Sequence, residues 1–101
     1  MVRNSSMSVH HPSTLLVKEN RYGFTLSTST LFASNIEISD NSDKGIAADD
    51  GSSVDLRNSK IIDNTGSDVY LTFCSRATLY GNIGSVYCDE CSRIRGDAAC
   101  E

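Results

Sequence analysis

The chain repeats itself at a step too long for a hairpin. Residues 31–41 lie over residues 54–64 without a gap at an offset of 23, and Asn35/Asn58, Ile38/Ile61, Asp40/Asp63 and Asn41/Asn64 then coincide. The register extends both ways. Gly23-Phe24, Gly45-Ile46, Asp68-Val69 and Ser85-Val86 succeed one another at steps of 22, 23 and 17, and residues 15–20 fall on residues 36–41 at 21. The last step is short by six, which predicts a trimmed connection between Asn82 and Gly84. Self-similarity at this spacing describes stacked units, each of which buries its apolar face only against its neighbours.

The repeated element is strand. Ile36 and Ile38, Val54 and Leu56, Val69 and Leu71, Ala77 and Leu79, and Val86 and Cys88 alternate with polar residues. That period of two belongs to strands, and no stretch sustains helical spacing. Asp-Asn, Asp-Asp-Gly-Ser-Ser, Asn-Thr-Gly-Ser and Gly-Asn-Ile-Gly separate the runs and are turn formers. Successive coils then pair in parallel, about 4.8 Å apart. The expected fold is all-β, a right-handed parallel β-helix of about four to five coils of roughly 17–23 residues, bounded by an irregular lead over 1–12 and a tail over 98–101.

Stacking makes specific columns. Phe24, Ile46, Val69 and Val86 should line the interior, as should Val17, Ile38 and Ile61. Asn20, Asn41 and Asn64, with Asn35 and Asn58, should form amide ladders that satisfy turn backbone. Glu37 and Lys60 should pair outside for ~0.2–1 kcal/mol. The single proline, Pro12, precedes the predicted coils, as mutually paired strands require.

The phrase from Gly45-Ile46 through Asn64 resembles the right-handed β-helix repeats of pectate-lyase-like proteins, over roughly residues 13 to 97. The resemblance implies the fold and leaves the chemistry open, because that family holds lyases, glycoside hydrolases, phage tail proteins, epimerases and adhesins. Gly66-Ser67-Asp68-Val69-Tyr70-Leu71 followed by Gly84-Ser85-Val86-Tyr87-Cys88-Asp89-Glu90-Cys91-Ser92 is similar to repeats of large eukaryotic surface proteins, which implies an extracellular or cell-surface location. The hydrolases of the family use paired aspartates, and Asp49 and Asp50 are the catalytic candidates here. The linked pattern of those enzymes is incomplete: Asn41-Ser42-Asp43 stands for Asn-Thr-Asp, no Gly-His-Gly exists, and Arg93-Ile94-Arg95 only loosely matches Arg-Ile-Lys. Turn geometry is the preferred role for these aspartates.

The four cysteines fall within the last 28 residues. Cys88-x-x-Cys91 could supply two thiolates to a metal, but the other half of such a site is missing, so no metal or cofactor is expected. Cys74 and Cys91 lie one local coil apart and face each other as a disulfide candidate, Cys91 with Cys100 is the competing pair, and Cys88 falls in the interior column after Leu71. A disulfide implies an oxidising compartment.

A formal charge of −4 argues against a nucleic-acid partner. No apolar run approaches 18 residues, so no membrane span is expected, and the opening dozen residues lack a secretory apolar stretch. With no capping helix before Leu15, either the first dozen residues fold over that end or, the preferred expectation, the chain is a piece of a longer solenoid; an open end would favour end-to-end self-association. Tyr70 and Tyr87 should stack outside above Thr25 and Ala47, making them the ligand candidates. Arg95-Gly96-Asp97 and the sequon Asn4-Ser5-Ser6 are short matches of little weight, and His10-His11 read as solvated. The functional expectation is a non-catalytic scaffold or recognition module for a glycan or a protein, with a fragment of a polysaccharide lyase or glycoside hydrolase as the alternative.

Overall fold

The structure is a computed structural model that describes residues 2, 3 and 6–100, with side chains described from residue 15. Ten strands follow in order: β1 (Val2–Arg3), β2 (Ser6–Lys18), β3 (Tyr22–Ser27), β4 (Thr30–Ser39), β5 (Lys44–Asp49), β6 (Ser53–Ile62), β7 (Val69–Leu71), β8 (Arg76–Ile83), β9 (Val86–Cys88) and β10 (Arg93–Gly96). Odd strands form one sheet in the order β1-β3-β5-β7-β9, and even strands form the other in the order β10-β8-β6-β4-β2. Every pairing is parallel. The chain is a parallel β-solenoid, all-β as the alternation predicts. Three coils have neighbours on both sides, and one end coil, flanked on one side only, lies at each end.

The pairing register is that of the repeat. Ile38 lies beside Ile61, Val17 beside Ile38, and Phe24, Ile46, Val69 and Val86 follow one another across the odd sheet. Leu31, Ile38, Ile46, Leu56, Ile61, Val69, Leu71 and Leu79 have no accessible surface. The buried apolar residues of successive coils form one continuous core cluster.

A left-handed residue in mid-strand bends the long strands. Asn35 and Asn58 have φ of 55° and 50°, and at each of them the inward alternation slips by one: Leu31 and Ala33 give way to Ile36 and Ile38. In β8 the place is taken by Gly81, and the register against β6 shifts between Leu56 and Ser59. One of the six residues missing from the last coil is therefore lost at Tyr80-Gly81. The other five are lost between Ile83 and Val86, where two residues do the work of residues 62–68. The expected single trim between Asn82 and Gly84 is thus corrected to two.

The amino-terminal lead is also corrected. Residues expected to be irregular lie in β1 and β2, with Val2 at the register position of Leu26 and residues 6–10 paired with residues 30–34. The pairing gives their backbone groups partners, which outweighs the polar composition of the segment. Pro12 sits on this edge strand where the register shifts between His10 and Leu15, a place where a missing N–H is tolerated. Asn4 lies outside the described residues.

The ladders carry the turns. Asn41 Nδ2 donates to Asn64 Oδ1 at 2.8 Å, and the Asn41 backbone N–H donates to the same oxygen at 3.1 Å. Asn20 N–H donates likewise to Asn41 Oδ1. A second, buried ladder of Ser29, Ser52, Ser75 and Ser92 was not anticipated. Ser29 N–H donates to Ser52 Oγ and Ser75 N–H to Ser92 Oγ, both at 3.1 Å, while Ser52 Oγ donates to Asp49 O. The offset of 23, then 17, was enough to find it.

Candidate functional site

The outer face of the odd sheet carries the tyrosines. Thr25, Ala47, Tyr70 and Tyr87 share one column, and the Tyr70 and Tyr87 rings stack with centroids 4.8 Å apart and planes 16° from parallel. The stack has a base: Lys44 Nζ lies 4.8 Å from the Tyr70 centroid and 5.7 Å from that of Tyr22. Since β5 and β9 flank β7 on opposite sides, the lysine and Tyr87 occupy opposite faces of the Tyr70 ring.

The lysine is held in place. Its ammonium donates to Asp43 Oδ1 at 2.9 Å, and Arg21 approaches the same carboxylate at 3.8 Å. The Lys44 hydrogen bond lowers the Asp43 carboxyl below its usual range, and the reciprocal bond raises the Lys44 ammonium. Lys44 was not singled out from the sequence, although its register opposite Tyr22 follows from the 22-residue step.

Tyr87 is 42% exposed and borders a concavity of about 550 Å³ with Phe73, Asp89 and Glu90. Phe73, 66% exposed, sits in a left-handed turn with φ 52°. Its N–H donates to Asp89 Oδ2 at 2.7 Å, and Cys91 and Ser92 N–H groups donate to Asp89 Oδ1. The Ser92 side-chain hydrogen bond, followed by these N–H donors, holds the Asp89 carboxyl below its usual range.

Two disulfides frame this end. Cys74 and Cys91 are bonded across adjacent coils, with Cα atoms 4.5 Å apart. Cys100 is bonded to Cys88 with Cα atoms 5.5 Å apart, so Cys91–Cys100 does not form and Cys88 is no bystander of the interior. The half-exposed Cys88 lies at the last paired position of β9, where the tail can reach it. Among the described residues no three His, Cys, Asp or Glu side chains are grouped to hold a metal.

Asp49 and Asp50 stand at a different corner. Asp49 ends β5 and pairs with Ser27; its Oδ1 is buried and accepts no hydrogen bond among the described residues. Asp50, with φ 52°, is the turn residue, and its Oδ2 accepts from Ser27 Oγ at 3.3 Å. Neither joins an ion pair among the described residues. Asp40 and Asp63 are likewise left-handed turn residues, at 54° and 57°. Asp97 of the Arg-Gly-Asp tripeptide accepts the Gly81 N–H at 2.9 Å.

A sequence model of the family described as the right handed beta helix region matches residues 2–91. With the stacked parallel sheets, this places the chain in the right-handed β-helix family. No curated protein and no solved structure matches the chain. Among the described residues no helix is long and apolar enough to cross a membrane.

Proposed function

We propose that this β-helix is a non-catalytic recognition scaffold that binds carbohydrate on the outward face of Tyr87, in an extracellular or cell-surface setting. One observation carries the reading: the stack Lys44–Tyr70–Tyr87 spends both faces of Tyr70 and one face of Tyr87, leaving the other Tyr87 face at the rim of a concavity that the exposed Phe73 also lines. The axial C–H groups of a sugar ring are electropositive and meet the electron-rich face of an aromatic ring. A ring already stacked loses little freedom on binding, and Asp89 and Glu90 offer hydroxyl acceptors beside it. Tyr70 is then a pedestal and Tyr87 the contact. Two disulfides in 101 residues support an oxidising location.

The test is a neutral-oligosaccharide array followed by titration. Binding should fall at least tenfold in Tyr87→Ala and persist in Tyr70→Phe, which keeps the stack. A wild-type chain that binds no member of the array overturns the reading. The enzyme alternative rests on Asp49 and its unpartnered Oδ1. Release of unsaturated or reducing-end product from polyuronates, abolished in the Asp49→Ala/Asp50→Ala double variant, would replace the non-catalytic assignment.

A further inference from the structure

We propose that Arg76, Arg93 and Arg95 form a second binding site, on the even sheet, for the sulfate or carboxylate groups of an acidic polysaccharide. Arg93 is the register partner of Arg76 on adjacent strands, about 4.8 Å apart, and Arg95 follows two residues on along the same face. The alternation confirms that face: Ala77 is buried and Ile94 packs on the core, while all three arginines are exposed. None of the three guanidinium groups has a hydrogen-bond or ion-pair partner among the described residues.

The arrangement costs stability in the free protein. Like charges directly opposite one another on paired strands repel. Elsewhere this solenoid stacks groups that attract: amide on amide, hydroxyl on backbone, ring on ring. The same column lower down holds Ser53 and Thr30, so the charge is confined to the last two coils. A local rule broken without compensation marks a place kept for something else.

No nearby carboxylate pairs with these arginines among the described residues. Asp55 is held by Arg57 at 2.8 Å, Asp97 by the Gly81 N–H and Asp89 by three backbone N–H groups. Neither β8 nor β10 contains an acidic residue. A chain of net charge −4 thus carries a local cluster of three unneutralised cations.

The arginines border a concavity of about 600 Å³, walled also by Cys74, Thr78 and Ile94. Rigid guanidinium forks bind oxyanions bidentately, and Thr78 and the Cys74–Cys91 disulfide beside them offer a carbon ring contact. That combination fits a charged sugar unit better than a bare inorganic anion. Nucleic acid needs a longer basic stripe and a basic domain. The site is independent of Tyr87: it lies on the other sheet and works by charge.

The intact, disulfide-bonded chain is titrated at low and physiological salt with dextran sulfate, polygalacturonate, uncharged dextran and single-stranded DNA. Expected is binding to one or both anionic polysaccharides that weakens with salt and falls at least tenfold in Arg76→Gln/Arg93→Gln/Arg95→Gln. Arg21→Gln, which removes one exposed cation beside the other sheet, should bind these polymers as the wild type does. Which polymer binds assigns sulfate or carboxylate. Equal binding by the triple variant, equal binding to uncharged dextran, binding to DNA as tight as to the glycans, or no binding at all overturns the proposal. Without ligand, Arg93→Gln should raise the thermal midpoint by roughly 1–5 °C; a fall would show that the pair is structural and overturn it likewise.

Discussion

Asn64 Nδ2 donates to Asp68 Oδ1 at 2.8 Å, where another full coil would have offered the carbonyl of a further stacked asparagine. Asp68 also accepts the backbone N–H of Asn64 at 3.1 Å and, through Oδ2, that of Ser85 at 2.8 Å. The trimmed last coil has no asparagine at that station, so a buried carboxylate from the same turn ends the ladder. It joins the 23-residue repeat to the 17-residue one.

Removing that carboxylate should therefore be costly. Asp68→Ala leaves the backbone N–H groups of Asn64 and Ser85 without an acceptor, while Asn64 Nδ2 keeps Ile38 O and Ile62 O, and should lower stability by about 2 kcal/mol or more in urea denaturation. Asp68→Asn keeps one acceptor oxygen and should lose less. Equal stability of Asp68→Ala and wild type would show that the junction is not held this way.

Two glycines should separate cleanly. At Gly81, with φ 138°, an added Cβ would collide with the Ser59 backbone, and coils three and four would have to part. Gly81→Ala should lose more than about 3 kcal/mol or fail to fold, since backbone cannot move aside as a side chain does. At Gly51, with φ 75°, an added Cβ meets nothing, so Gly51→Ala should cost only about 1–2 kcal/mol for the left-handed backbone. Thermal melts of the two variants side by side check the contrast.

Disulfide removal should loosen the last coil before the rest. The Cys74–Cys91 and Cys88–Cys100 bonds span 17 and 12 residues, and losing either should cost about 2–4 kcal/mol. The Cys88→Ser/Cys100→Ser variant frees the tail without cutting any strand pairing. Hydrogen exchange should accelerate at β9 and β10 and stay slow in β4 and β6. Uniform acceleration would mean that the solenoid opens as one unit.

Acid should act on the Phe73 turn. The Asp89 carboxyl titrates below its unfolded value of about 3.9, so the folded state favours the ionised form. Its contribution is complete above that unfolded value and is lost as pH falls through the depressed folded one. From about pH 5 to about pH 2.5, the urea midpoint of Asp89→Asn should drop less than that of the wild type. Parallel drops would remove Asp89 from the account.

Much of this was legible in the chain. Ile38 beside Ile61 and Asn41 on Asn64 follow from the step of 23 and Tyr87 on Tyr70 from the step of 17, because a parallel stack places residues one coil apart in direct register. Glu37 and Lys60 pair at 4.0 Å for the same reason. The strands in residues 2–12 were hidden: their composition is polar, and their pairing comes from the backbone of β3 and β4. The base of the tyrosine stack was hidden too, since Lys44 reaches across columns rather than along one.

The sequence by itself determined the period, the strand alternation and the columns, because all three depend only on spacing along the chain. The tertiary structure alone decided that Cys88 joins Cys100, that Asp68 ends a ladder, that Lys44 backs the Tyr70 ring, and that the arginines brought together by the 17-residue step find no ion-pair partner among the described residues. Those outcomes depend on where the chain ends come to rest and which side chains point across columns, and no periodicity encodes either.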